Sequence, residues 1–216
     1  KLSYKNGEIL EMYLNYNIKQ KATITITNLN KKIIKQFDTI VFPNKINTNN
    51  PVEEGAKYNL TYKFILKNFT SGLYLINNKI SFIVKNFEIL SDFCLVYESL
   101  TLEVYNTFGG KNAYLSENTQ NKWSMDSFNK RAKKLSFLRP KCGMMYNGTD
   151  ISIWSGPFFK WYEKWTTDVS IISSYISDID LENYDNLKNV KNIVLTGHSE
   201  YWSLKMIDTI EKFILS

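Results

Sequence analysis

Residues 193–202 read I-V-L-T-G-H-S-E-Y-W and hold the side chains best suited to chemistry. His198 is the only histidine in the chain, and Glu200 stands two residues beyond it. An imidazole and a carboxylate this close can carry a proton or help to hold a cation. Two plainer readings stand beside that one. Glu200 could balance the positive end of a following helix, worth about 0.3–1 kcal/mol, and His198 could be a hydrogen-bonded structural residue. A third reading is a nucleophile elbow at Gly197-His198-Ser199. Ser199 would then need a histidine base from elsewhere, and the chain has no second histidine. Tyr201 also stands where the elbow's second glycine belongs.

The elements around these residues set their place. Ile193, Val194 and Leu195 form a short apolar run that stops at Gly197. Beyond it Leu204, Ile207, Ile210, Phe213 and Ile214 recur at helical spacing,. Strand, tight turn and helix put His198 and Glu200 at the carboxyl edge of a sheet, where open α/β folds bind ligands.

The N-terminal stretch has a different rhythm. Residues 22–27 alternate as A-T-I-T-I-T, and Tyr58, Leu60, Tyr62, Phe64 and Leu66 recur at period two,. Residues 72–76 and 80–84 read as strands joined through Asn77 and Asn78,. Residues 43–55 read as a long polar connection. An antiparallel β-sandwich over residues 1–87 is expected. The pattern then changes. Residues 93–97 are a continuous apolar run, suited to a strand buried on both faces,. An aromatic helix over residues 157–165, a strand over 169–172 and the strand before Gly197 follow. Residues 88–216 therefore read as an α/β domain with a parallel sheet. Only three sheet strands are found in it, so the chain is expected to be a fragment, incomplete at its C-terminus.

Composition narrows the function classes. The net charge is +6, yet the basic residues are spread thinly. The densest patch, Lys130, Arg131, Lys133 and Lys134, lies in a polar stretch without interleaved aromatics, so no nucleic-acid partner is expected,. No apolar run approaches the roughly 20 residues that a spanning helix needs. No membrane association and a cytoplasmic location are expected. Cys94 and Cys142 lack zinc-site spacing, and Cys94 reads as core packing,.

Taken in order, S-G-L-Y at residues 71–74, Y-N-T-F-G-G at 105–110, Arg139-Pro140 and G-H-S-E-Y-W-S at 197–203 resemble the large-subunit family of N,N-dimethylformamidase. The resemblance implies a β-sandwich followed by a domain similar to class I glutamine amidotransferases. It also implies a mononuclear iron held by two tyrosines and a glutamate, with iron-activated water hydrolysing a small linear amide. Glu200 matches the motif glutamate, His198 the proton-carrying histidine and Tyr105 the first tyrosine. Tyr146 is the first choice for the second tyrosine and Tyr114 the alternative. A small subunit and a homo-oligomer are implied partners, and a further glutamate expected downstream is absent from these residues. Phenolate and carboxylate are hard oxygen donors, which suit a ferric ion. The competing expectation is a non-catalytic binding or structural module that keeps both folds.

Overall fold

The computed structural model describes residues 2–115, 130–141, 154–167 and 169–216. Tyr146 and Cys142 therefore lie outside the described residues. In chain order the elements are β1 (Ser3–Lys5), β2 (Ile9–Met12), β3 (Gln20–Asn28), β4 (Ile33–Val41), α1 (Pro51–Glu54), β5 (Tyr62–Ile65), β6 (Gly72–Ile76), β7 (Ile80–Lys85) and β8 (Ser91–Tyr97). There follow α2 (Ser99–Tyr105), α3 (Ser155–Thr166), β9 (Ser173–Ser177), the 3-10 turns Asp178–Glu182 and Tyr184–Leu187, β10 (Val190–Leu195) and α4 (Leu204–Ile214). The fold is mixed α/β, with largely antiparallel sheets and a separate, wholly parallel one.

Five strands in the order β1-β7-β6-β3-β4 make one sheet, and β2 pairs with β5 in another. Leu10 and Met12 of β2 pack against Ile24 and Ile26 of β3 and Tyr74, Phe82 and Val84 of β6 and β7. The larger sheet is not purely antiparallel, because β1 runs parallel to β7. No tight turn joins these two strands, so nothing forces them to oppose each other. The expected polar connection over 43–55 also contains α1, whose N-cap Asn50 accepts from the Glu53 backbone N–H.

The third sheet is parallel, in the order β10-β8-β9. Strand side chains alternate between faces, and β8 uses both. Cys94 and Val96 point toward Ile176, Leu181, Leu187 and Met206. Leu95 and Tyr97 point toward Phe159, Tyr175 and the Leu73, Leu75 and Ile83 side chains of the five-stranded sheet. A strand buried on both faces needs an unbroken apolar run, and F-C-L-V-Y supplies one. The α4 helix covers the outer face with Met206, Thr209, Ile210 and Phe213, while Leu204, Ile207 and Ile214 are exposed.

One expected element is displaced, and one helix is not anticipated from the sequence. The strand expected over 169–172 lies one step later, at β9. Val169 and Ile172 are exposed, and the Ile171 N–H closes a turn onto the Val169 carbonyl at 2.8 Å. The small Ser174 and Ser177 side chains are buried instead. Residues 99–105 form a helix, although Leu100, Leu102 and Val104 alternate in the manner of a strand.

Phe159 is wholly buried, between the rings of Tyr97 and Tyr175. Phe159→Ala should cost about 3–5 kcal/mol through lost transfer energy and the cavity left behind. Urea unfolding of the variant and the wild type checks this.

Candidate functional site

The carboxyl ends of β8 and β10 lie side by side, since Leu195 is in register with Val96. From β8 the chain passes through Glu98 into α2, and Tyr105 is the last residue of that helix. From β10 it passes through Thr196 and Gly197 to His198 and Glu200. Adjacent parallel strands thus deliver both segments to one edge of the sheet.

The side chains meet there. The Tyr105 hydroxyl donates to Glu200 Oε2 at 2.8 Å, and the Tyr114 hydroxyl donates to Glu200 Oε1 at 2.5 Å. The Tyr114 and Tyr201 hydroxyls are also hydrogen-bonded to each other. His198 Nε2 lies 3.3 Å from Glu200 Oε2. The Tyr105 and Tyr114 rings stack with centroids 4.7 Å apart, and Trp154 packs on the His198 ring at 5.1 Å. Tyr114 is buried, whereas Glu200 and His198 remain open to solvent. Burial, followed by hydrogen bonding to Glu200 and to Tyr105 and Tyr201, pushes the Tyr114 phenol well above its usual range. Burial does the same, more modestly, to Tyr201.

Tyr105, Tyr114, Glu200 and His198 are therefore brought together, while Tyr146 falls outside the described residues. Among the described residues no three His, Cys, Asp or Glu side chains cluster for a metal, so a metal reading here rests on phenols. Two phenol oxygens and a carboxylate form a hard donor set that fits a ferric ion, and the open carboxylate leaves a way in. Ser199 does not form an elbow. Its helix starts only at Leu204, and its carbonyl accepts from the Trp202 indole at 3.1 Å. A cleft of about 530 Å³ lies elsewhere, between β1, β2 and residues 137–141.

Backbone ties hold the phenols in place. Fully buried Asn112 donates to the Tyr105 carbonyl at 2.9 Å and accepts the Tyr114 N–H at 2.8 Å. Arg139 donates to the Asn106 carbonyl at 2.7 Å, to the Lys111 carbonyl at 3.3 Å and to the Glu103 carbonyl. The Glu103 carboxylate in turn pairs with Lys141 and lies 3.7 Å from Arg139. Gly109 has φ +85 beside Val52, where a Cβ would crowd the α1 backbone. Sequence reasoning missed Tyr201, Asn112 and Trp154. Adjacency to Glu200 was the one signal for Tyr201.

Beneath the His198 turn lies Glu98, wholly buried. Among the described residues its Oε1 has no hydrogen-bond partner, and Thr196 Oγ1 reaches Oε2 only at 3.4 Å. Gly197 has φ +63 and runs directly over this carboxyl, so a Cβ there would collide with Glu98 Oε1. Gly197→Ala should lose about 1–2 kcal/mol from the left-handed backbone alone, with a further loss from displacing Glu98, read by denaturant unfolding.

Burial raises the Glu98 carboxyl from its ordinary 4.5 to about 7. Between those values the folded protein holds a proton that the unfolded chain releases, so stability falls as pH rises through that window. Glu163, raised to about 7 by burial, acts in the same sense. Glu98→Gln should remove the Glu98 share, so the variant gains on wild type in urea melts as pH climbs from about 4.5 to 7.

Among curated proteins no match to the chain is found. Residues 60–216 match the family described as N,N-dimethylformamidase beta subunit-like, C-terminal. With that match over most of its length, the chain belongs to the N,N-dimethylformamidase beta subunit-like family.

Proposed function

We propose that the chain carries the metal and proton-transfer site of a hydrolase acting on a small linear amide. In this reading residues 1–87 are a β-sandwich domain and residues 88–216 an α/β domain of the class I glutamine amidotransferase type. The observation that supports it most is the pair of phenols donating to one open carboxylate, with the only imidazole of the chain beside it. Tyr105, Glu200 and a second tyrosine would hold the iron. Tyr114 has the geometry for that place among the described residues, and Tyr146 is the alternative from the motif order. Bound iron would supply Lewis-acid polarisation of the amide carbonyl and lower the pKa of water.

The chain's own residues do the rest. His198 Nε2 faces Glu200 Oε2 at 3.3 Å, and its partly exposed ring can reach a substrate. It would take the proton from water as the C–O bond forms and return it to the nitrogen as the C–N bond breaks. Glu200 orients the imidazole, and Trp154 closes one side of it. A small subunit and self-association belong to the same reading.

Glu200→Ala should abolish iron binding, measured as metal content of the purified protein. His198→Ala should keep the iron and lose about 10²–10⁴-fold in amide turnover, the usual scale for a general acid–base. Tyr114→Phe and Tyr146→Phe decide the second tyrosine. The one that holds the metal should lose iron and the phenolate-to-iron absorption band on substitution. A Glu200→Ala protein with stoichiometric iron would refute the site.

A further inference from the structure

We propose that Thr101 is the positioning residue that sets Glu200 and Tyr201 against the phenols of Tyr105 and Tyr114. Thr101 is almost fully buried on α2. Its hydroxyl accepts the Glu200 backbone N–H at 2.9 Å and the Tyr201 backbone N–H at 3.3 Å. The Glu200 N–H is shared with the His198 carbonyl at 3.1 Å, whereas Thr101 is the acceptor for Tyr201. Residues four apart lie on the same face of a helix, so Thr101 and Tyr105 project from α2 toward the same segment. One grips its backbone and the other its carboxylate. Both ends of the Glu200 side chain are thereby referred to one rigid element, and the Tyr201 hydroxyl is delivered to Tyr114 by the same anchor.

The arrangement explains how a donor on an irregular segment can be held. Residues 196–203 carry no helix or strand, and Glu200 is exposed, so packing alone does little to fix it. Hydrogen bonds from behind a ligand typically change metal affinity about 10–100-fold when removed. The consequence for metal binding rests on the proposed function, but the anchoring itself does not.

The test compares Thr101→Val, which keeps the shape and removes the acceptor, with Thr101→Ser, which keeps the acceptor. Three readouts are taken on the whole chain: amide hydrogen exchange at Glu200 and Tyr201, iron affinity with its phenolate-to-iron band, and the melting temperature of the metal-free protein. Thr101→Val should lose protection at both amides, bind iron about 10–100-fold more weakly and shift the band. Thr101→Ser should restore all three. Unchanged protection in Thr101→Val would overturn the proposal, as would a loss of iron that follows the drop in melting temperature and is not rescued by Thr101→Ser. If the wild type binds no iron, the metal reading fails, and amide protection in Thr101→Val then decides the anchor by itself.

Discussion

The buried carboxylate of Asp178 is the interaction on which the site depends. It stands where β9 ends and accepts from the Leu100 N–H at 2.8 Å, the Ser99 hydroxyl at 2.5 Å and the Ile179 N–H at 2.9 Å. Burial raises this carboxyl's pKa, and the hydrogen bonds work against that rise. The first N–H groups of a helix have no partners within it, and the helix dipole favours a negative charge at that end. Asp178 provides both the acceptor and the charge for α2. Because α2 ends at Tyr105 and carries Thr101, its starting point fixes where both groups arrive.

This interaction also marks the limit of what the sequence could tell. Strands β3, β6, β7 and β8 and helices α3 and α4 are local: an alternating or continuous apolar run, or a helical stripe, announces each of them. The α2 helix is not local. Its seven residues alternate apolar and polar, and its cap lies 78 residues further along. The site was legible to the same degree. His198 and Glu200 stood out by type and spacing, and Tyr105 by its motif. Tyr114 came second to Tyr146, because only the loop turned by Asn112 brings it back to Glu200. Thr101 and Tyr201 carry no signal of their own, since a buried hydroxyl and one more tyrosine are ordinary residues in this chain.

A second set of buried charges holds the other side of α2. Arg139 and Glu103 are almost inaccessible, and each would be costly to bury alone,. The planar guanidinium resolves this by donating from all three of its nitrogens to separate backbone carbonyls, a spread that the single nitrogen of a lysine lacks,. The Arg139-Pro140 pair carries part of the family resemblance read from the sequence. In the fold it clamps residues 103, 106, 111 and 136, so the loop that carries Tyr114 is drawn against the end of α2. Two non-local electrostatic contacts, one at each end of a two-turn helix, thus replace the length that would normally stabilise it.

The parallel pairing of β8 with β10 bears on how the chain folds. Cys94 and Ile193 are opposite each other in that ladder, and Thr101 and Glu200 meet one helical turn later. Contacts between residues about a hundred positions apart require closure of a long loop before they return any energy. Folding rates fall as such distant contacts come to dominate. The hairpin of β6 and β7 can close early around Asn77 and Asn78, and the pair β3 and β4 around its own short turn. The edge where the tyrosines meet Glu200 must wait for β10. The edge that carries the proposed site is therefore expected among the last parts of the chain to take shape, after its sheets have committed to their order.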